Sequence, residues 1–245
     1  MQNFYEEYLK GNYQQVWGQL SNRDLTIASE AEIGEIESIL NELFSRIKYN
    51  VEITLNILND FGYKYENYGS LNEYNAQCIY ANKTNEFQLI DFRKKNSDYG
   101  YFSWAFLEFY KTFTVLDFRG YFEDLDFDYL LDPLYIFPIN VFIGLNETPG
   151  EIYVNNEVSH YLLFCPDEFI KENMSGDIGY GIYLRKTQVL DDNLFNYKVD
   201  LSFIDYLRHC FEWACFPNLK WISQDEIPRQ LNEVVKKVRL EIKSF

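Results

Sequence analysis

The chain has two histidines, His160 and His209, and four cysteines, Cys78, Cys165, Cys210 and Cys215, so acid–base or nucleophilic chemistry has few places to sit. Histidine is the side chain most often used as a general base. His160 falls inside a strand-like run, Ser159 to Cys165, and His209 inside a helical one, Leu201 to Phe216, and each reads as a structural residue there. His209 and Cys210 adjoin in sequence, but neighbours on a helix point about 100° apart, which argues against a Cys–His pair. Cys210 and Cys215 lie about 140° apart around a helix and are poor joint metal ligands. The four thiols read as reduced, with neither a disulfide framework nor a zinc-type spacing.

Two other motifs invite chemistry. Gly176, Gly179 and Gly181 in SGDIGYGI suggest a phosphate cradle, but the Lys-Ser/Thr of a P-loop is missing and no helical pattern follows, so turn geometry explains them. The segment YFEDLDFDYLLDP gathers Glu123, Asp124, Asp126, Asp128 and Asp132, the clustered oxygens a hard cation prefers. Counted from Asp124, the sixth residue is Tyr129 where an EF-hand needs Gly and the twelfth is Tyr135 where it needs Glu, so that loop fails. A solvated acidic loop is the plain reading, and a cation site of another kind stays open. In a third reading the carboxylates of Glu123, Asp124, Asp126 and Asp128, interleaved with Phe122, Phe127 and Tyr129, combine steering charge with aromatic anchors for a protein partner. Asp191 and Asp192, in what reads as a loop, form a second candidate contact.

That third reading fits the chain as a whole. Thirty-eight acidic residues against 22 basic ones give a net charge of −16, on a sequence that is 47% hydrophobic with 21 Tyr, 21 Phe and 4 Trp. Disordered acidic chains lack such aromatics, so the charge belongs to a folded body. Its field repels nucleic acid and anionic lipid and draws in basic partners. From Lys220 to Phe245, six basic residues face four acidic ones, so the negative field is concentrated elsewhere. The first residues, broken by Glu6, Glu7, Lys10 and Gly11, form no secretory h-region, and no run approaches the roughly 18 apolar residues of a membrane span. A cytoplasmic location follows as the expectation.

The elements that would position these residues show in the hydrophobic periods. Phe4 to Leu20 predicts two short helices broken at Gly11-Asn12. Ile36, Leu40, Leu43, Phe44, Ile47, Val51, Leu55 and Leu58 predict one long helix, entered at Ser29 with the capping-box partner Glu32 and stopped by Gly62. Residues 63 to 84 read as a connector. A short helix covers Phe87 to Phe92, and a second, capped by Ser103, runs through Phe106, Phe109 and Phe113 into strand-like TVLDFRGYF. Short strands follow at Leu134 to Phe137, Glu151 to Val154, Ser159 to Cys165 and Tyr180 to Leu184. Leu201 to Phe216 and an amphipathic helix from Pro228 through Ile242 close the chain. Helices, then strands, then helices predict an α+β fold, divided into an N-terminal helical extension and connector, residues 1–84, and a body with a C-terminal helix, residues 85–245.

Three of these segments carry a family likeness: FSWAFLEFYKTFTVLDFRGYF from Phe102 to Phe122, KENMSGDIGYGIYL from Lys171 to Leu184, and LSFIDYLRHCFEWACFPNL from Leu201 to Leu219. Their order of helix and strand, glycine turn and strand, and closing helix resembles the bacterial SMI1/KNR4-like proteins of the SUKH superfamily. The chain departs from that pattern at Thr114-Val115, where many members have a Gly-rich turn, and at Ala214-Cys215, where one subgroup has two glycines. The resemblance implies a SUKH-like body, with a central, mostly antiparallel sheet flanked by helices, and a non-enzymatic immunity protein that blocks a toxin. It transfers no catalytic residue, cofactor or metal. The expected partner is a basic toxin domain such as a nuclease. A regulatory or scaffold module without a toxin partner is the alternative, and a carboxylate-driven hydrolase is the third reading.

Overall fold

The computed structural model describes residues 3–65, 78–125, 131–154, 156–167, 171 and 178–245. Gly11, at φ +98°, separates α1 (Phe4–Leu9) from α2 (Tyr13–Leu20) where the sequence predicts a break. The long helix α3 (Glu30–Asp60) begins in the expected capping box: Ser29 Oγ accepts the Glu32 N–H at 3.4 Å, and the Glu32 carboxylate accepts the Ser29 N–H at 2.9 Å. Gly62, at φ +83°, follows its end. Ile36, Ile39, Leu43, Ile47, Val51 and Leu58 form its buried stripe. Asn50, a polar residue buried beside that stripe as Thr54 is, is satisfied at both ends of its amide, donating to Lys243 O at 2.8 Å and accepting from Lys243 N at 2.7 Å. A helix interior position thereby pins the C-terminal segment.

The chain continues through β1 (Tyr63–Tyr65), β2 (Cys78–Tyr80), α4 (Lys83–Lys95) and α5 (Trp104–Thr112), which passes directly into β3 (Phe113–Asp117). Thr114 and Val115 are buried within that strand, so no turn intervenes. After β4 (Gly120–Phe122) and β5 (Tyr135–Ile136) comes α6 (Ile139–Leu145), a helix the sequence reading did not contain. Its seven residues are too few to show a helical period, and Ile139 and Val141 favour strand by propensity. β6 (Gly150–Val154), β7 (Glu157–Cys165), β8 (Tyr180–Leu184), β9 (Leu194–Phe195), α7 (Phe203–Glu212) and α8 (Arg229–Glu241) complete the chain.

The fold is α+β with antiparallel pairing, as the order of elements predicts. Among the described residues the strands are distributed over three sheets rather than gathered in one: β1-β4, β2-β3-β5 and β6-β7-β8-β9. Phe106 of α5 packs between helices and β7, its ring 5.2 to 5.7 Å from those of Tyr110, Phe142, Phe164 and Phe203 in edge-to-face contacts. Each such pair adds about 1 kcal/mol to the burial of its rings.

The expected division at residue 84 is not a division of the core. One cluster of buried side chains runs from Tyr8 to Phe245, and β1 and β2, from the first segment, pair with β4 and β3 of the second. The C-terminal helix α8 packs on α3 and α7 through Leu231, Val234, Val235 and Val238.

Candidate partner-binding surface

Of the acidic patch read from sequence, Glu123 and Asp124 lie exposed just past the end of β4, beside the exposed Tyr121. Asp126, Phe127, Asp128 and Tyr129 fall outside the described residues. Phe122 does not serve as an anchor for a partner: it is buried, with its ring 4.9 Å from that of Tyr63 across the β1–β4 ladder. Asp132 is no part of a solvated run either. Its carboxylate is fully buried, accepting from Lys171 Nζ at 2.6 Å and from the Tyr180 hydroxyl at 3.3 Å.

The second candidate, Asp191-Asp192, is corrected outright, because both residues are almost wholly buried. Asp191 Oδ2 accepts from Trp17 Nε1 at 2.9 Å and from the Ile204 N–H at 3.2 Å, the latter at the start of α7. Burial pushes its carboxyl up to about 6 despite these donors. Asp192 receives a bidentate Arg185 guanidinium at 2.5 and 2.6 Å. A loop composition suggested exposure; the pair instead ties α2, β8 and α7 together.

The groups with chemical potential are likewise committed to structure. Burial raises all four thiols, Cys78 to about 12 and Cys165 to about 11, so none is held as a nucleophilic thiolate at neutral pH. His209 is buried at the C-terminal turn of α7 and faces the Pro217 carbonyl oxygen at 3.2 Å; burial lowers it to about 4, so its ring is neutral and donates there. Among the described residues no three His, Cys, Asp or Glu side chains converge as a metal site. A cleft of about 500 Å³ between α3, α4 and α5 brings Glu37 and Glu108 near Arg93 and Trp104, but Glu37 is exposed and Glu108 is engaged by Lys111 at 3.1 Å. Neither is a buried acid poised for proton transfer.

Among the described residues the most exposed aromatic side chain, Tyr153, lies where the sequence reading assigned no function. In the β6–β7 hairpin, register pairs Tyr153 with Val158 and Glu151 with His160, so these four side chains share one face. That face belongs to the core at Leu162 and Leu184 and emerges into solvent toward the hairpin tip, where Tyr153 is 75% exposed. Tyr99 extends it: its ring stands edge-on to His160 at 5.0 Å, with the exposed Asp98 next in sequence. Glu151 Oε1 is 3.6 Å from His160 Nε2. The signal available in the sequence was the paired strands around Asn155-Asn156; which face the core would cover was not in it. Among the described residues no helix is long and apolar enough to cross a membrane. No family model, curated protein or solved structure matches the chain.

Proposed function

We propose that the protein is a non-enzymatic immunity protein of the cytoplasm that binds and occludes a basic toxin domain. The observation that carries this reading is Tyr153, three-quarters exposed in a row with Val158, His160 and Tyr99, and flanked by the carboxylates of Asp98 and Glu151 on a chain of charge −16. Exposed tyrosines give rigid contact area at small entropic cost, and they are enriched among the residues that dominate binding energy. Carboxylates at their rim speed encounter with a cationic partner and disfavour anionic ones. Occlusion is steric, so no group on this chain needs to react. Glu123 and Asp124, exposed past β4, add to the same field.

The test is co-expression with the product of an adjacent toxin gene. The chain should protect the cells and co-purify with the toxin, with association slowing as salt rises. Failure to protect, or protection by a chain that forms no complex, would overturn it.

A further inference from the structure

Among the described residues β6 is an uncovered edge, with Glu151 its one charged side chain. It is the terminal strand of the order β6-β7-β8-β9, and no hydrogen bond joins its outer side to any other described residue. Natural edge strands are usually protected by lysine, proline, a bulge or a covering element. Gly150–Val154 holds no lysine and no proline, and its pairing with β7 runs from Gly150↔Tyr161 to Val154↔Glu157 without a register shift. Ile152 is half-buried, while Glu151, Tyr153 and Val154 are exposed.

The register also says which backbone groups face outward. Bonded and non-bonded pairs alternate along an antiparallel ladder, and the pair closing a tight hairpin is a bonded one. With Val154↔Glu157 bonded, Ile152↔Ser159 and Gly150↔Tyr161 are bonded too. The N–H and C=O groups of Glu151 and Tyr153 therefore point away from β7. These are the two residues whose side chains lie on the exposed aromatic face.

We propose that β6 receives an extended, basic segment of a partner protein as a fifth strand, hydrogen-bonded to the main chains of Glu151 and Tyr153. The charge identifies the occupant. Glu147 precedes the strand and Glu151 lies within it, both exposed, while Glu157 on β7 is already paired with Lys186 Nζ at 2.8 Å, so a second copy would bring like charges together, whereas lysine or arginine in the added strand would meet Glu147 and Glu151. Main-chain bonds supply affinity, and Tyr153 and Val158 supply a surface for the apolar residues between the charges. This deepens the immunity reading by naming the partner's conformation, and it rests on that reading only for the partner's identity.

The probe is a synthetic peptide of about eight residues, alternating lysine and valine, long enough to span β6. On its addition, the amides of Glu151 and Tyr153, free to exchange in the isolated protein, should exchange at least about tenfold more slowly. The same peptide N-methylated throughout keeps its charge and side chains but cannot pair, and it should lose at least about tenfold in affinity. A glutamate-valine peptide should not bind. Absence of binding, equal binding of the N-methylated peptide, or binding without protection at Glu151 and Tyr153 would overturn the proposal. So would protection of these amides in the free protein that grows with its concentration, which would make the occupant a second copy. If the peptide pairs with β6 but the chain protects no cells from toxin, strand addition stands and immunity falls; protection of cells with no pairing leaves the reverse.

Discussion

Trp17 Nε1 donates to Asp191 Oδ2 at 2.9 Å, joining residues 174 positions apart in the chain. The same oxygen receives the Ile204 N–H, and the Asp191 N–H donates to Ser21 O at 3.0 Å. One buried carboxylate thus fastens the N-terminal helices to the start of α7. Trp17→Phe keeps most of the ring but removes a donor to a buried charge, and should lower unfolding stability by about 1–3 kcal/mol in a urea titration. A loss below about 0.5 kcal/mol would show that the bond contributes little.

The same carboxyl makes stability depend on pH. Folding raises it from 3.8 to about 6, so between those values the folded protein holds a proton that the unfolded chain releases. That contribution is fully present below about 3.8 and is lost as pH rises through about 6, a change of about 2–3 kcal/mol. Burial raises Asp192 in the same direction. His209, which burial lowers to about 4, works the other way between about 4 and 6.5, where the unfolded chain holds a proton that the folded one does not, so the Asp191 contribution is read by difference: from pH 4 to pH 7, Asp191→Asn should lose about 2–3 kcal/mol less stability than the native chain in denaturation curves taken across this range.

Lys171 and Asp132 form an ion pair with neither side chain exposed. Lys171→Met removes the counter-ion of a buried carboxylate and should cost about 3–5 kcal/mol, whereas Lys171→Met combined with Asp132→Asn, which keeps a side chain tolerant of φ +50°, should cost less than the single change. Thermal unfolding of the two variants distinguishes these outcomes.

Ala214 and Cys215 occupy consecutive left-handed backbone positions, φ +54° and +67°. Relief of that strain offsets the lost methyl and the gain in unfolded-state freedom, so Ala214→Gly should leave stability within about 0.5 kcal/mol. Ala214→Val, β-branched in the same conformation, should destabilise by more than about 2 kcal/mol. Denaturant midpoints read both.

Neutralising Glu123, Asp124, Asp126 and Asp128 together should slow association with the partner about tenfold at low salt and leave circular dichroism unchanged. The difference should shrink as salt rises, measured by stopped-flow mixing.

Every helix but α6 was legible in this chain because the signals are local. Ser29 and Glu32 cap α3 from three residues apart, Gly11 and Gly62 mark ends by their backbone freedom, and the apolar stripe of α8 recurs every three or four residues. Strands β3 to β8 were legible as runs bounded by turns, whereas β1 and β2 fell in what read as a connector and β9 is only two residues long; α+β followed from the order of the rest. The sequence could not say that Phe122 faces Tyr63, that Asp191 meets Trp17, or that Tyr153 stands in water. Each depends on a partner distant along the chain, and a period of two names two faces without choosing the buried one. Composition alone determined an acidic, aromatic-rich folded body. Tertiary structure decided which carboxylates remain in solvent, since burial is a property of what packs above a residue and not of the residue itself.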